Sequence, residues 1–192
     1  QLLRQSNIRK EKGVRLDTLF QFLLSLVFSG KNLYRLLEST EAPVGIGKDT
    51  VYRLLNSATA NWRRLLLLLS TRVIVQRLLP LTDETTTKVL IADDTLYGRG
   101  RSKRVELLAR VHDHNTNRYV RGFRMLTLGW SDGNSFIPMM LSMLSSANGK
   151  NRLAPMRDGI DKRTNGYKRR QESLRKSTDV LVDMVTLAKT AG

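Results

Sequence analysis

Apolar positions recur at helical spacing through the first 80 residues and then give way to short continuous runs separated by turn residues. Leu16, Leu19, Phe20, Leu23, Leu24, Val27 and Phe28 form one helical stripe, with Gly30 as its stop signal. Asn32 fits as the cap of a short helix carrying Leu33, Leu36 and Leu37. The loop 40–47 leads into a further helix over 48–56. A longer one is expected over 60–79, ended by Pro80. Its run 65–69 is apolar all round, which predicts burial between layers, and Trp62 reads as core. Residues 82–87 read as a polar linker.

Beyond that linker the pattern changes to strands. Val89, Leu90, Ile91 and Ala92 run without a polar break into Asp93, Asp94 and Thr95, which predicts a short strand buried on both faces that ends at a polar site. Alternation sends Asp93 and Asp94 to opposite faces, so one of them alone can share a site with carboxylates from neighbouring strands. A second reading of Asp-Asp-Thr is a simple exit from the sheet, because Asp side chains bond nearby backbone N–H groups. Val105, Leu107, Leu108 and Val111 predict a short helix or strand. Residues 122–130 and 135–144 are apolar runs joined by Ser131, Asp132, Gly133 and Asn134, a hairpin signal that makes Asp132 a turn residue. Val180, Leu181, Met184, Val185, Leu187 and Ala188 predict a final helix with these residues inward, capped by Ser177 or Thr178 and closed by Gly192.

Charge sharpens this outline. The 192 residues hold 33 Lys and Arg against 17 Asp and Glu, a formal net charge of +16, which points to a polyanionic partner. Residues 1–82 hold 13 basic and 5 acidic side chains and residues 148–178 hold 10 and 3, whereas residues 83–147 hold 9 and 7. The basic excess therefore flanks the Asp-Asp strand. Short helix, glycine-containing turn and helix over 33–56 is a helix-turn-helix layout, in which Lys48, Thr50, Tyr52 and Arg53 are DNA-contacting residue types; packing of an ordinary helical bundle explains the same pattern. Arg99, Arg101, Lys103 and Arg104 form a cationic loop just after the carboxylates. Residues 148–177 read as a basic insertion with the dense run Lys168, Arg169 and Arg170, for which DNA contact is favoured over mere solubility.

Other classes are disfavoured. Cysteine is absent, which excludes disulfides and thiolate metal sites. His112 and His114 lack a third ligand at recognisable spacing, so a polar turn is preferred to zinc. No apolar run approaches the roughly 18 residues of a membrane span, and the start carries no signal-peptide pattern, so a cytoplasmic location is expected. The first residue is Gln, which suggests a piece of a longer chain.

Four stretches carry a resemblance: Ile91-Ala-Asp-Asp-Thr95, the segment 106–114, the segment 121–133, and Phe136-Ile-Pro138. Together they resemble bacterial insertion-sequence transposases of the DDE type, the IS-four-like group. That resemblance implies an α+β chain: an N-terminal helical, DNA-binding domain over 1–82, then an incomplete RNase H-like (β-β-β-α) domain over 83–192. It implies a triad of two Asp and one Glu binding two divalent ions, Mg²⁺ or Mn²⁺. Asp93 matches the first Asp, with Asp94 as the alternative; the second Asp and the Glu would lie past residue 192. The partners implied are double-stranded DNA at transposon ends and a second copy in a homodimer on that DNA. Without the full triad this chain is expected neither to cut nor to join DNA, and a sheet lacking its remaining strands is expected to expose an edge. The other reading is a non-catalytic DNA-binding fragment that competes with a full-length enzyme.

Overall fold

The computed structural model describes residues 1–39 and 45–191. The helices α1 (Leu2–Gln5), α2 (Leu16–Ser29), α3 (Leu33–Leu37), α4 (Lys48–Leu55) and α5 (Trp62–Val73) come first. Their caps follow from the sequence: Asn32 accepts from the Arg35 N–H and Asn61 from the Arg64 N–H, each satisfying an orphan donor of a first turn. Gly30 closes α2 at φ 64°, a left-handed conformation that glycine adopts without a Cβ clash. Ile8, Leu19, Ile46, Val51, Leu54, Ala60 and Leu65 make the core of this helical part, and Trp62 packs on its flank. The expected loop over 40–47 falls largely outside the described residues.

One helix serves two cores. Leu65 of α5 faces the helical cluster, while Ile74, in the π-helical turn Ile74–Leu78 that continues α5, faces the sheet. The expectation of a single α-helix to residue 79 is corrected here. Pro80 has no N–H for the Gln76 carbonyl and its ring crowds that group, so the last turns widen and end in the 3-10 turn Leu79–Leu81. The expected all-round burial of residues 65–69 is also corrected, since Leu69 is exposed.

The sheet has four antiparallel strands, β1 (Val89–Gly98), β2 (Ala109–Asp113), β3 (Arg118–Ser131) and β4 (Phe136–Leu144). The long β3 is central: β1 pairs along one edge, and β2 and β4 lie end to end along the other. Of residues 105–111, left open between helix and strand, 109–111 lie in β2 and 105–108 form the turn before it. The hairpin over 131–136 forms as expected, with buried Asp132 accepting from the Asn134 and Ser135 N–H groups and from the Thr82 hydroxyl. Those donors hold its carboxyl below the usual range, the Ser135 N–H foremost.

Two further helices complete the chain, α6 (Asn165–Glu172) and α7 (Ser177–Thr190). Val180, Met184 and Ala188 repeat every four residues on α7 and bury against Leu126, Leu128, Trp130 and Met140 of the sheet. Leu187, expected inward, is exposed. Lys176 is the N-cap residue of α7 and supplies no side-chain cap, so the expected Ser177 or Thr178 cap is corrected; Gly192 lies outside the described residues. Residues 148–177, expected as one extended insertion, contain α6 and a 3-10 turn and bury Glu172 and Ser173.

Two apolar surfaces depart from expectation. Leu24, Val27 and Phe28 at the end of α2 face outward. Strand β1, expected to be buried on both faces, is exposed along nearly its whole length, because β3 pairs with one edge and α7 packs over β3 and β4. No described helix is long and apolar enough to cross a membrane.

Candidate active-site strand and basic surfaces

The carboxylate strand is longer than its apolar run suggests. Ten residues of β1 pair with β3, so Asp93 and Asp94 sit in mid-strand, opposite Thr127 and Leu126. The expected position at a strand end is corrected: Thr95, Leu96 and Tyr97 suit a pleated surface, and β3 supplies partners for all of them. Alternation acts as expected. Leu90, Ala92 and Asp94 stand opposite the residues that α7 covers, while Ile91, Asp93, Thr95 and Tyr97 share the open face.

The two carboxylates therefore meet different surroundings. Asp94 is claimed by Arg124 of β3 through two contacts, Nε to Oδ1 at 3.0 Å and a terminal nitrogen to Oδ2 at 2.8 Å. That forked geometry neutralises it. Asp93 makes no ion pair among the described residues. Its Oδ2 accepts from the Thr95 hydroxyl at 2.6 Å, and its backbone carbonyl accepts from the Thr127 hydroxyl at 3.2 Å. The carboxylate free to meet a cation is thus Asp93. Arg124 was missed in the sequence because the pairing depends on the register of β1 against β3, which places Arg124 one step diagonally from Asp94.

One carboxylate flanked by hydroxyls is a partial ligand set. Divalent ions of the Mg²⁺ type take about six oxygens, and two-ion sites need several carboxylates held together. Among the described residues no group of three or more His, Asp or Glu side chains is placed to hold a metal ion. Asp93 fits as one ligand, and the set around it does not by itself fit two ions. The expected polar turn takes in His114 but not His112, which lies in β2; their ring centroids are 4.8 Å apart, and His112 Nε2 is 3.1 Å from Asn117 Oδ1.

The basic candidates divide into free and engaged groups. Arg99 stacks on Tyr97 with its guanidinium 4.5 Å from the ring centroid and donates to the Tyr97 hydroxyl at 2.6 Å. Tyr97 stands two strand positions beyond Thr95 on the Asp93 face, so the stacking brings a cation to that face. Arg101, Lys103 and Arg104 are exposed and form no ion pairs among the described residues. On α4, Lys48 lies 5.9 Å from the centre of the exposed Tyr52 ring, Arg53 is exposed, and Thr50 is half-buried.

Lys168 is exposed and forms no ion pair among the described residues, whereas Arg169 and Arg170 are held by carboxylates. Arg170 forks onto Glu106 at 2.7 and 2.8 Å and holds that carboxyl below its ordinary value. Arg169 binds Glu172 at 2.6 Å, and burial pushes its guanidinium below the ordinary value, with the like charge of Arg63 adding to the effect. Glu172 is itself buried. It also accepts from both terminal nitrogens of Arg63 on α5 and from the Ser142 hydroxyl of β4 at 2.5 Å. Arg170 thus fastens α6 to Glu106, a partner 64 residues away that a local run of basic residues does not reveal, while Arg169 pairs within α6 with Glu172, which is itself tied to Arg63 of α5.

The family described as DDE superfamily endonuclease matches residues 15–191 of the chain. No curated protein and no solved structure matches it.

Proposed function

We propose, from the premise that this chain belongs to the DDE superfamily endonuclease family, that it handles duplex DNA in bacterial transposition, with Asp93 as the first of the metal-binding carboxylates. The observation that carries this reading is the contrast on β1: Asp94 is neutralised by Arg124, whereas Asp93 stands without an ion pair among the described residues on the face that also carries Tyr97 with Arg99 stacked on it. An unpaired carboxylate held by a strand is a rigid ligand, and a cation further along the same face suits a phosphate of the substrate. Asp93 would hold Mg²⁺ or Mn²⁺ as one ligand among several, and such an ion would supply Lewis-acid chemistry for phosphoryl transfer. Arg99, Arg101, Lys103 and Arg104 would lie along the substrate backbone, and Lys48, Tyr52 and Arg53 would meet DNA from the helical part.

A second reading is favoured by a separate observation. No three carboxylate or imidazole groups gather among the described residues, which supports reading the chain by itself as a DNA-gripping protein without cutting chemistry. Such a chain would compete with a complete enzyme for the same DNA.

Gel-shift titration of duplex DNA over a salt series, with and without Mg²⁺, tests both readings. Binding that weakens steeply with salt and leaves the DNA intact is the expected result. Metal-dependent cleavage that disappears in Asp93→Ala would show instead that the carboxylates present suffice. Absence of binding at low salt would remove the DNA reading.

A further inference from the structure

The segment between α1 and α2 carries Arg9, Lys10 and Lys12, pinned at its start by Ile8, which is 1% exposed, and bent by Gly13 at φ 76°. It faces α4. Between them lies a cleft of about 470 Å³ to which α4 and its exit contribute Thr50, Arg53 and Ser57. Among the described residues lining it, four are cationic and none is a carboxylate; Glu11, between Lys10 and Lys12, does not line it. Arg9 and Lys12 form no ion pair among the described residues. The Lys10 ammonium donates to the Lys12 carbonyl, and Arg53 Nε donates to the Asp49 carbonyl at 3.2 Å, so neither cation is neutralised.

Four like charges around one cleft raise one another's energy, and an anion among them reverses the sign of that interaction. Arg side chains offer forked donors suited to phosphate oxygens, Lys side chains act as point charges, and Thr50 and Ser57 add hydroxyl donors. The cleft is larger than a single phosphate needs. It also shares Arg53 with a shallow depression lined by Asp49, Tyr52 and Asn56, so it continues onto the outward face of α4. That continuity suits a chain of phosphates better than a free ion.

We infer that this cleft seats the phosphate backbone of duplex DNA, with Arg9, Lys10, Lys12 and Arg53 as its charge partners. The inference rests on the DNA reading above and gives it a second anchor, outside the β1 loop. Seated there, the backbone fixes the position of α4 against the duplex without reading sequence.

The test compares wild type with Arg9→Ala/Lys12→Ala and with Arg64→Ala/Arg77→Ala, which removes two exposed charges elsewhere. Binding of one duplex is measured by fluorescence anisotropy over a salt series, and circular-dichroism melts check that each variant folds. Each phosphate contact contributes about 0.9 to the slope of log affinity against log salt. The cleft variant is expected to lose about 1 to 2 in slope and on the order of tenfold in affinity at moderate salt, equally for unrelated duplexes, while the control keeps the wild-type slope. Equal slopes in both variants would overturn the cleft and leave the DNA reading standing. Failure of wild type to bind any duplex would overturn both. A melting temperature raised by millimolar inorganic phosphate in wild type but not in the cleft variant, with unchanged DNA binding in both, would assign the cleft to a free anion and overturn the backbone seat.

Discussion

Asp93 and Asp94 differ by one position along β1 and by everything that surrounds their carboxylates. Asp94→Asn breaks the fork with Arg124, but that pair is about a third exposed, so the expected loss is about 1 kcal/mol or less in urea denaturation. Asp93→Asn removes no ion pair and is expected to change stability by no more than about 0.5 kcal/mol. Glu172 lies at the other extreme. Glu172→Ala leaves the Arg63 side chain, 8% exposed, without a counter-charge between α5 and β4, and a buried unpaired charge of this kind costs about 3–5 kcal/mol. Denaturant midpoints should therefore rank Glu172→Ala far below both Asp variants. Glu106 gives a pH signature. Its folded carboxyl titrates below the ordinary value of 4.5, first because Arg170 binds it, so its contribution is fully present above that pH and is lost as pH falls through the depressed value. Thermal melts of Glu106→Gln between pH 7 and pH 3 should show a smaller acid loss than wild type.

At the scale of elements, the sequence revealed what local periodicity controls and concealed what pairing controls. The hairpin over 131–136, the Asn32 cap, the stop at Gly30 and the stripe at Val180, Met184 and Ala188 depend on residues within one or two turns of each other, and all are present. The length of β1 is a different matter: Thr95, Leu96 and Tyr97 are compatible with a strand, but Thr95 to Gly98 join it because β3 reaches that far, which is a matter of pairing. Burial was misjudged for the same reason. An apolar run says that a strand can be covered, but covering requires another element, and Val89, Ile91, Phe136 and Leu141 share a face that no described helix covers. The candidate site was legible to the same degree: alternation separated the two Asp residues, while the pairs Arg124 with Asp94, Arg170 with Glu106 and Arg63 with Glu172 emerge only from tertiary contacts. An open apolar face beside an unpaired strand edge invites association between chains. Ile91→Lys, on that face, is therefore expected to raise the concentration at which the protein stays in solution, with a melting temperature within a few degrees of wild type. A fall in the melt by 10 °C or more would mean that Ile91 is covered in solution.

For the whole molecule, the excess of 16 positive charges acts on stability as well as on partners. The strongest internal ion pair, around Glu172, is buried and little screened, whereas Arg15 with Asp17 and Arg163 with Asp161 are exposed pairs of small worth. What salt screens is therefore mainly repulsion: the four cations of the N-terminal cleft, the loop from Arg99 to Arg104, and exposed Lys168. The sign follows. Raising NaCl from about 50 to 500 mM shortens the screening length from roughly 14 Å to 4 Å, which removes long-range repulsion while the buried pairs persist. The melting temperature should rise by several degrees over that range, even as affinity for duplex DNA falls by orders of magnitude over the same series. The two trends are opposite because both start from the same unpaired cations: in the free protein salt relieves their mutual repulsion, and in the complex salt competes for the phosphates they hold. A melting temperature that fell with NaCl would place the net electrostatic contribution in surface ion pairs instead, and with it would go the argument that these cations stand unpaired in wait for an anionic partner.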